Sequence, residues 1–210
     1  MRIAVVGAGL GGLTCAALLQ RAGFAVLVYE QAAAFARIGA GIILSPNVLK
    51  VLRVLGLERP LLEVGIAPDA FVSRAWDTGE TLFELRLDAA SEQRFGGPYI
   101  NVHRGDLHAV LASAVRPASI AFGHCLVGLK SSGAGVRLVF ENGAQHEADI
   151  VIGADGIRSK VREVLLGPEP PRFTGRVAQR AIFKRELLGG QPMRDCTKWS
   201  GRTATCSLTS

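Results

Sequence analysis

Apolar and polar positions in this chain switch repeatedly between a helical period and a strand period. Ile3–Val6 is a short β-rich run, glycines follow, and Leu10–Arg21 then carries Ala and Leu at helical spacing. Gly23 ends that helix, and Ala25–Tyr29 reads as a second buried strand closing on Glu30. This is a βαβ opening. The stretch "SPNVLKVLRVLG" predicts another helix, capped by Ser45, with Pro46 in its first turn and Gly56 as its stop. Phe71–Trp76 and Thr81–Leu87 alternate about the turn Asp77–Glu80, as an antiparallel hairpin does. Tyr99–Val102 leads into a helix from about Arg104 to Val115, ended by Pro117. Val136–Phe140, the turn Glu141–Ala144 and a following strand form a further hairpin. Ile150–Ile152 reads as a buried strand feeding a second glycine turn, with a helix beginning near Ile157. From Phe173 the pattern changes, and "RVAQRAIFKREL" reads as a strand leaving the first domain.

The order is βαβ, a hairpin excursion, then β and α again. That predicts an α/β chain with a doubly wound parallel sheet, interrupted by excursions that build part of a second domain.

Composition narrows the function classes. The chain has 210 residues, 49% apolar and 20% charged, so it can form a sizeable core. The net charge of +6 and pI near 9.5 suit phosphate-bearing cofactors or anionic small substrates. The basic residues are scattered, not striped, and no basic-aromatic module is present, which argues against nucleic acid. Cys15, Cys125, Cys196 and Cys206 are widely spaced without a CxxC pair. They suggest neither a metal site nor a disulfide scaffold, and suit a reducing cytoplasm. The run Ile3–Gln20 superficially resembles a signal peptide, but its four glycines make a poor hydrophobic helix, and no stretch is long enough to span a membrane.

Gly7-Ala8-Gly9-Leu10-Gly11-Gly12 fits GxGxxG between a predicted strand and a predicted helix. Gly7 allows the tight turn, Gly9 lets backbone approach a pyrophosphate, and Gly12 lets the helix pack close, its first amides facing the phosphates. Glu30 ends the second strand at the distance expected for accepting from a ribose hydroxyl. An acid there disfavours a 2′-phosphate, so the ligand is FAD or NAD and not NADP. The alternative is a glycine turn kept for packing. In "GADGIRSKVR" two readings stay open. Asp155-Gly156 presents a carboxylate and an amide at a strand end, with Arg158, Lys160 and Arg162 near phosphates; or Asp155 is a helix cap beside a solvated basic face.

Together "GAGLGG" with Glu30, "GAGI" at Gly39–Ile42, and "GADGIRSKVR" resemble the single-component FAD-dependent aromatic hydroxylases, the flavoprotein monooxygenases. The resemblance covers roughly residues 1–200. The stretches "RIGAGI", "PNVLKVLRVLGLE", "HRGDLHA" and "ADIVIGADGIRSKVREVLLG" are most similar to members acting on hydroxylated pyridine carboxylates. Salicylate and 3-hydroxybenzoate hydroxylases are somewhat less similar. The resemblance implies a Rossmann-like FAD/NAD(P)-binding domain over 1–70 and 99–178. It implies an incomplete antiparallel substrate-binding region over 71–98 and 179–210. It also implies FAD as cofactor, NADH as co-substrate, and a small aromatic acid and O2 as substrates. For the pyridine acids and salicylate the incoming hydroxyl replaces a carboxylate lost as carbon dioxide. Two other classes stay open: a different flavin oxidoreductase and a non-catalytic FAD-binding fragment.

Position by position, the resemblance places Gly7, Gly9, Gly11 and Gly12 at the pyrophosphate and Glu30 with Gln31 at the adenosine ribose. Arg37 and Arg104 hold FAD phosphates or the ring region, and Leu126 packs near the adenine. Asp155, Gly156 and Arg158 serve FAD and NADH. Cys196 matches a pocket residue, with a buried small apolar residue as the alternative. Ile43 stands where the pyridine-acid members carry a histidine that acts on substrate, and an isoleucine moves no proton. His103 and His108 read as structural. No catalytic residue is assigned.

The family runs to nearly twice this length and carries a third, Gly-Asp motif beyond residue 210. The tail "GRTATCSLTS" departs from the family pattern, and residues from about Ser200 are expected to be a frame-shifted readout of a longer gene.

Overall fold

The computed structural model describes residues 1–131, 133, 135–177, 179, 181–189, 196–200 and 205–209. The chain begins β1 (Arg2–Val6), α1 (Leu10–Arg21), β2 (Ala25–Tyr29), β3 (Gly41–Leu44), α2 (Pro46–Val54) and α3 (Glu58–Val64). It continues β4 (Ala70–Ala75), β5 (Thr81–Arg86), α4 (Ala89–Phe95), β6 (Ile100–His103), α5 (Arg104–Ser113) and β7 (Ile120–Ala121). There follow β8 (Leu126–Ser131), β9 (Val136–Phe140), β10 (Gln145–Ala148), β11 (Ile150–Gly153), α6 (Lys160–Leu166), β12 (Cys196–Ser200) and β13 (Thr205–Thr209).

These elements form two compact units, Met1–Arg37 with Leu107–Ala178, and Ile38–Asp106 with Gln179–Ser210. Residues 38–70 and 99–106 lie in the second unit because β3 and β6 pair with each other, Gly41 opposite His103 and Leu44 opposite Ile100.

The first unit is built on a parallel sheet in the order β11-β1-β2-β7. All of Ile3–Val6 is buried, as expected of a parallel strand covered on both faces. The neighbours of alternate residues show why. Ala4, Val6 and Tyr29 join Leu126, Leu138, Phe140, Ala148 and Val161 in one cluster, beneath the antiparallel meander β8-β9-β10. Helix α1 packs against β1 and β2 and buries Leu13, Ala16 and Ala17. Strand β11 is at the sheet's edge. Ile150 is 41% exposed and Val151 and Ile152 are half-buried, so the run read as a buried strand is only partly covered.

The second unit holds a mixed sheet, β13-β12-β4-β5. Strands β4 and β5, and β12 and β13, are antiparallel, and β12 runs parallel to β4. Helix α2 starts at Pro46 as predicted, yet the Ser45 hydroxyl bonds Asn47 Oδ1 and not a backbone amide, so it caps by conformation alone. Among the described residues of 174–187 the expected strand is not formed. The described residues there are irregular, with a 3-10 turn at Arg185–Leu188, and Ala178 and Arg180 lie outside the described residues. Of the tail, residues 205–209 form β13, and residues 201–204 and 210 lie outside the described residues.

Candidate functional site

Parallel pairing of β1 with β11, Val6 opposite Gly153, places the two glycine turns at adjacent strand ends. That is the edge of such a sheet where ligands bind. Gly7 adopts φ +100, and a Cβ there would lie 2.4 Å from the Ala154 carbonyl oxygen. A Cβ on Gly12 would lie 1.9 Å from the Gly7 oxygen. Both glycines are required by the protein's own backbone. Gly9 and Gly11 differ, because a Cβ on either meets nothing within 4 Å. Gly9 is the N-cap of α1, its carbonyl accepting from Leu13 N at 2.9 Å. The turn is therefore tight against the protein at Gly7 and Gly12 and open at Gly9 and Gly11, the arrangement a pyrophosphate over a helix N-terminus needs.

Glu30, immediately after β2, fixes the turn. Its Oε2 accepts from Ala8 N at 2.8 Å and its Oε1 from Ala32 N at 2.9 Å. Each carboxylate oxygen keeps acceptor capacity, which fits a ribose hydroxyl. Gln31 is exposed, 4.0 Å from Cys125 Sγ. Leu126 opens β8 at 7% exposure and belongs to the core cluster.

In the second turn Asp155 Oδ1 accepts from the Ser159 hydroxyl at 2.5 Å and Oδ2 from Val161 N at 3.1 Å. Ser159 caps α6, accepting from Arg162 N at 3.0 Å. The helix thus starts at Lys160 and not near Ile157, because this capping network holds the preceding residues in a turn. Asp155 acts here as a helix-end acceptor, and its remaining lone pairs leave a second role open. Gly156 has φ +80 with nothing near its Cβ direction. Lys160 pairs with Glu163 at 2.8 Å, and Arg162 donates to the Ile157 carbonyl at 2.5 Å. Arg158, with Arg162 and Pro168–Pro171, lines a cavity of about 290 Å³. Replacing Ser159 by Ala should cost about 1 kcal/mol through loss of the cap. Urea unfolding checks this, and an unchanged midpoint would show that the capping bond is worth nothing.

Arg37 is exposed in the first unit. Arg104 starts α5 in the second, its Cβ 2.8 Å from where a Gly39 Cβ would stand. Ile43, on β3 opposite Asn101, is 41% exposed. Cys196 is buried at the start of β12 and within electrostatic reach of Tyr99. Burial, and then Cys196, push the Tyr99 phenol up. His103 takes a structural role. Its Nδ1 accepts from Gly105 N at 3.1 Å, so Nε2 carries the proton and donates to the Gly39 carbonyl at 3.0 Å. His108, also read as structural, reaches the glycine turn at Ala8, a contact with no sequence signal.

Among the described residues no group of three or more His, Cys, Asp or Glu could hold a metal, and no helix is long and apolar enough to cross a membrane.

A family model described as an FAD binding domain matches residues 1–173. The chain is 48% identical over 200 residues to the 6-hydroxynicotinate 3-monooxygenase of Pseudomonas fluorescens, covering 94% of this chain and 52% of that protein. It is 40% identical over 187 residues to the 3-amino-4-hydroxybenzoate 2-monooxygenase PtnB3 of Streptomyces platensis, covering 89% of this chain and 47% of that one. The crystal structure of Klebsiella pneumoniae HpxO with FAD and uric acid superposes with a TM-score of 0.80 at 27% identity, over 100% of this chain and 53% of that one. The chain spans about half the length of the curated relatives it matches. With its two glycine turns side by side at the ends of β1 and β11, the chain belongs to the FAD binding domain family.

Proposed function

We propose that this chain supplies the adenosine and pyrophosphate side of the cofactor site of an FAD-dependent monooxygenase. The enzyme hydroxylates an aromatic or N-heteroaromatic acid with NADH and O2. The observation that carries this reading is the pair of turns at the ends of β1 and β11, closed by backbone at Gly7 and Gly12 and open at Gly9 and Gly11. Gly7, Gly9, Gly11, Gly12 and the first amides of α1 hold the pyrophosphate. Glu30 and Gln31 hold the ribose, and Leu126 backs the adenine. Arg37, Arg104 and Arg158 balance phosphate charge, and Asp155 with Gly156 bounds the other side. FAD contributes the reductive activation of O2 with electrons drawn from NADH. The protein's own task is to orient the ring and exclude water.

The substrate favoured by the 48% relative is a 6-hydroxynicotinate-like acid, hydroxylated with loss of its carboxylate. Ile43 supports a second reading, a benzoate-type acid such as salicylate, 3-hydroxybenzoate or an aminohydroxybenzoate, since its side chain cannot move a proton. The protein works in the cytoplasm on small molecules, without nucleic acid or membrane.

Half of the relatives' length has no counterpart in these 210 residues, and Leu165, Leu166, Phe173, Val177 and Leu187 are each more than 70% exposed. The purified 210-residue chain should therefore hold FAD weakly, be poorly soluble, and oxidise no NADH with an aromatic acid present. A fusion to the C-terminal half of the Pseudomonas fluorescens relative should bind FAD and couple NADH oxidation to O2 consumption and carbon dioxide release with 6-hydroxynicotinate. A response to salicylate alone would select the second reading. NADH oxidation without ring hydroxylation would place the protein in another flavoenzyme class.

A further inference from the structure

We infer that His108 is a positioning residue for the phosphate-binding turn, aiming the Gly9 amide through the Ala8 carbonyl. The inference deepens the cofactor reading above and rests on it. Ala8 is 1% exposed, so both its polar backbone groups need partners inside the protein. Its N–H is taken by Glu30 Oε2 at 2.8 Å. Its carbonyl oxygen lies 2.8 Å from His108 Nε2. A carbonyl only accepts, so Nε2 carries the proton and donates.

The consequence follows from peptide planarity. The Ala8 carbonyl and the Gly9 N–H belong to one rigid unit and point in opposite directions. Holding the oxygen toward α5 turns the Gly9 N–H the other way. In the preceding unit Glu30 holds the Ala8 N–H, which turns the Gly7 oxygen away, and that oxygen is the atom lying 1.9 Å from the place of a Gly12 Cβ. Two successive peptide planes of the turn are thus each held by one side chain, Glu30 just after β2 and His108 from α5. The imidazole is itself held. The Phe35 ring meets it edge-on at 4.5 Å between centroids, and Phe35 meets Phe122 in the same way at 4.8 Å. All of these residues lie in the first unit.

The test uses the 210-residue chain with ADP and adenosine as probes, in calorimetry or saturation-transfer NMR. Adenosine reports the Glu30 side, and ADP adds the pyrophosphate. His108→Leu should weaken ADP about 10-fold and adenosine less than 2-fold, while His108→Gln, which keeps an N–H donor, should restore ADP affinity to within about 3-fold. Long-range 1H–15N spectra of the unaltered chain should show His108 as the Nε2–H tautomer. Equal losses for both probes, no loss for either, or an Nδ1–H tautomer would overturn the positioning role alone. An unaltered chain that binds no ADP would overturn the cofactor reading and this inference with it. A His108→Leu chain that fails to fold leaves the glutamine variant and the tautomer to decide.

Discussion

Gly12→Ala should unfold the first unit, while Gly11→Ala should leave it folded and slightly more stable. The two glycines are neighbours in α1 and look alike in sequence, but the structure separates them. A methyl on Gly12 would lie 1.9 Å from the Gly7 oxygen and 3.0 Å from its carbon. Both are backbone atoms, in a turn already fixed by Gly7 N donating to the Tyr29 carbonyl at 2.8 Å and by Ala154 N donating to the Val6 carbonyl at 2.8 Å. No side chain can swing aside, so α1 would have to lift from β1. The expected cost is about 3 kcal/mol or more, a large fraction of a domain's stability. At Gly11 the same methyl meets nothing within 4 Å. Alanine then lowers the entropy of the unfolded chain and should add roughly 0.5–1 kcal/mol. Because Gly11 faces the proposed pyrophosphate, this more stable variant should bind ADP more weakly. Urea unfolding followed by circular dichroism, with ADP titration of the folded variants, reads both effects. Comparable stability of the two variants would show that the close approach at Gly12 is not required.

The opening of the chain was legible because its signals were local. The helical period of Leu10–Arg21 stops before Gly23, the apolar run Ala25–Tyr29 stops at Glu30, and the structure reproduces both spans. The features that escaped depend on partners distant in sequence. Three apolar residues at Ile150–Ile152 look the same at a sheet's edge as at its centre, and only the pairing order shows that β11 has one neighbour. The start of α6 moved because Ser159 and Asp155 form a cap that composition does not reveal. The pairing of β3 with β6, and not with the parallel sheet, likewise joins segments far apart in sequence. His108 was legible only as a histidine on a helix, since its partner Ala8 lies 100 positions away. For the site, the residue types at the turn were readable because a pyrophosphate imposes them locally. Which glycines serve the ligand and which serve packing was not, since that depends on Ala154 and on the Gly7 carbonyl.

Glu30→Ala should lower both stability and nucleotide affinity, and the order of its variants separates the two roles of the carboxylate. In the folded chain the two oxygens serve different amides, Ala8 N at 2.8 Å and Ala32 N at 2.9 Å. Ala32 is exposed, so water can replace the lost acceptor there. Ala8 is buried, and its N–H would be left without a partner, at a cost of about 1–3 kcal/mol. The freed Gly7–Ala8 peptide unit could then rotate and disorder the turn that faces the pyrophosphate. Loss of a charged acceptor to the ribose adds to this, so ADP affinity should fall roughly 10- to 100-fold. Glu30→Gln keeps one acceptor oxygen but turns an amide N–H2 toward the other backbone donor. It should therefore fall between the unaltered chain and Glu30→Ala in unfolding midpoint. In ADP affinity it should lie nearer to Glu30→Ala, because the negative charge at the ribose is gone. Calorimetry with ADP and urea unfolding on the three chains give the two orders independently. A glutamine variant that binds ADP as well as the unaltered chain would remove the carboxylate from the ribose site and leave Glu30 as a fastening for the turn alone.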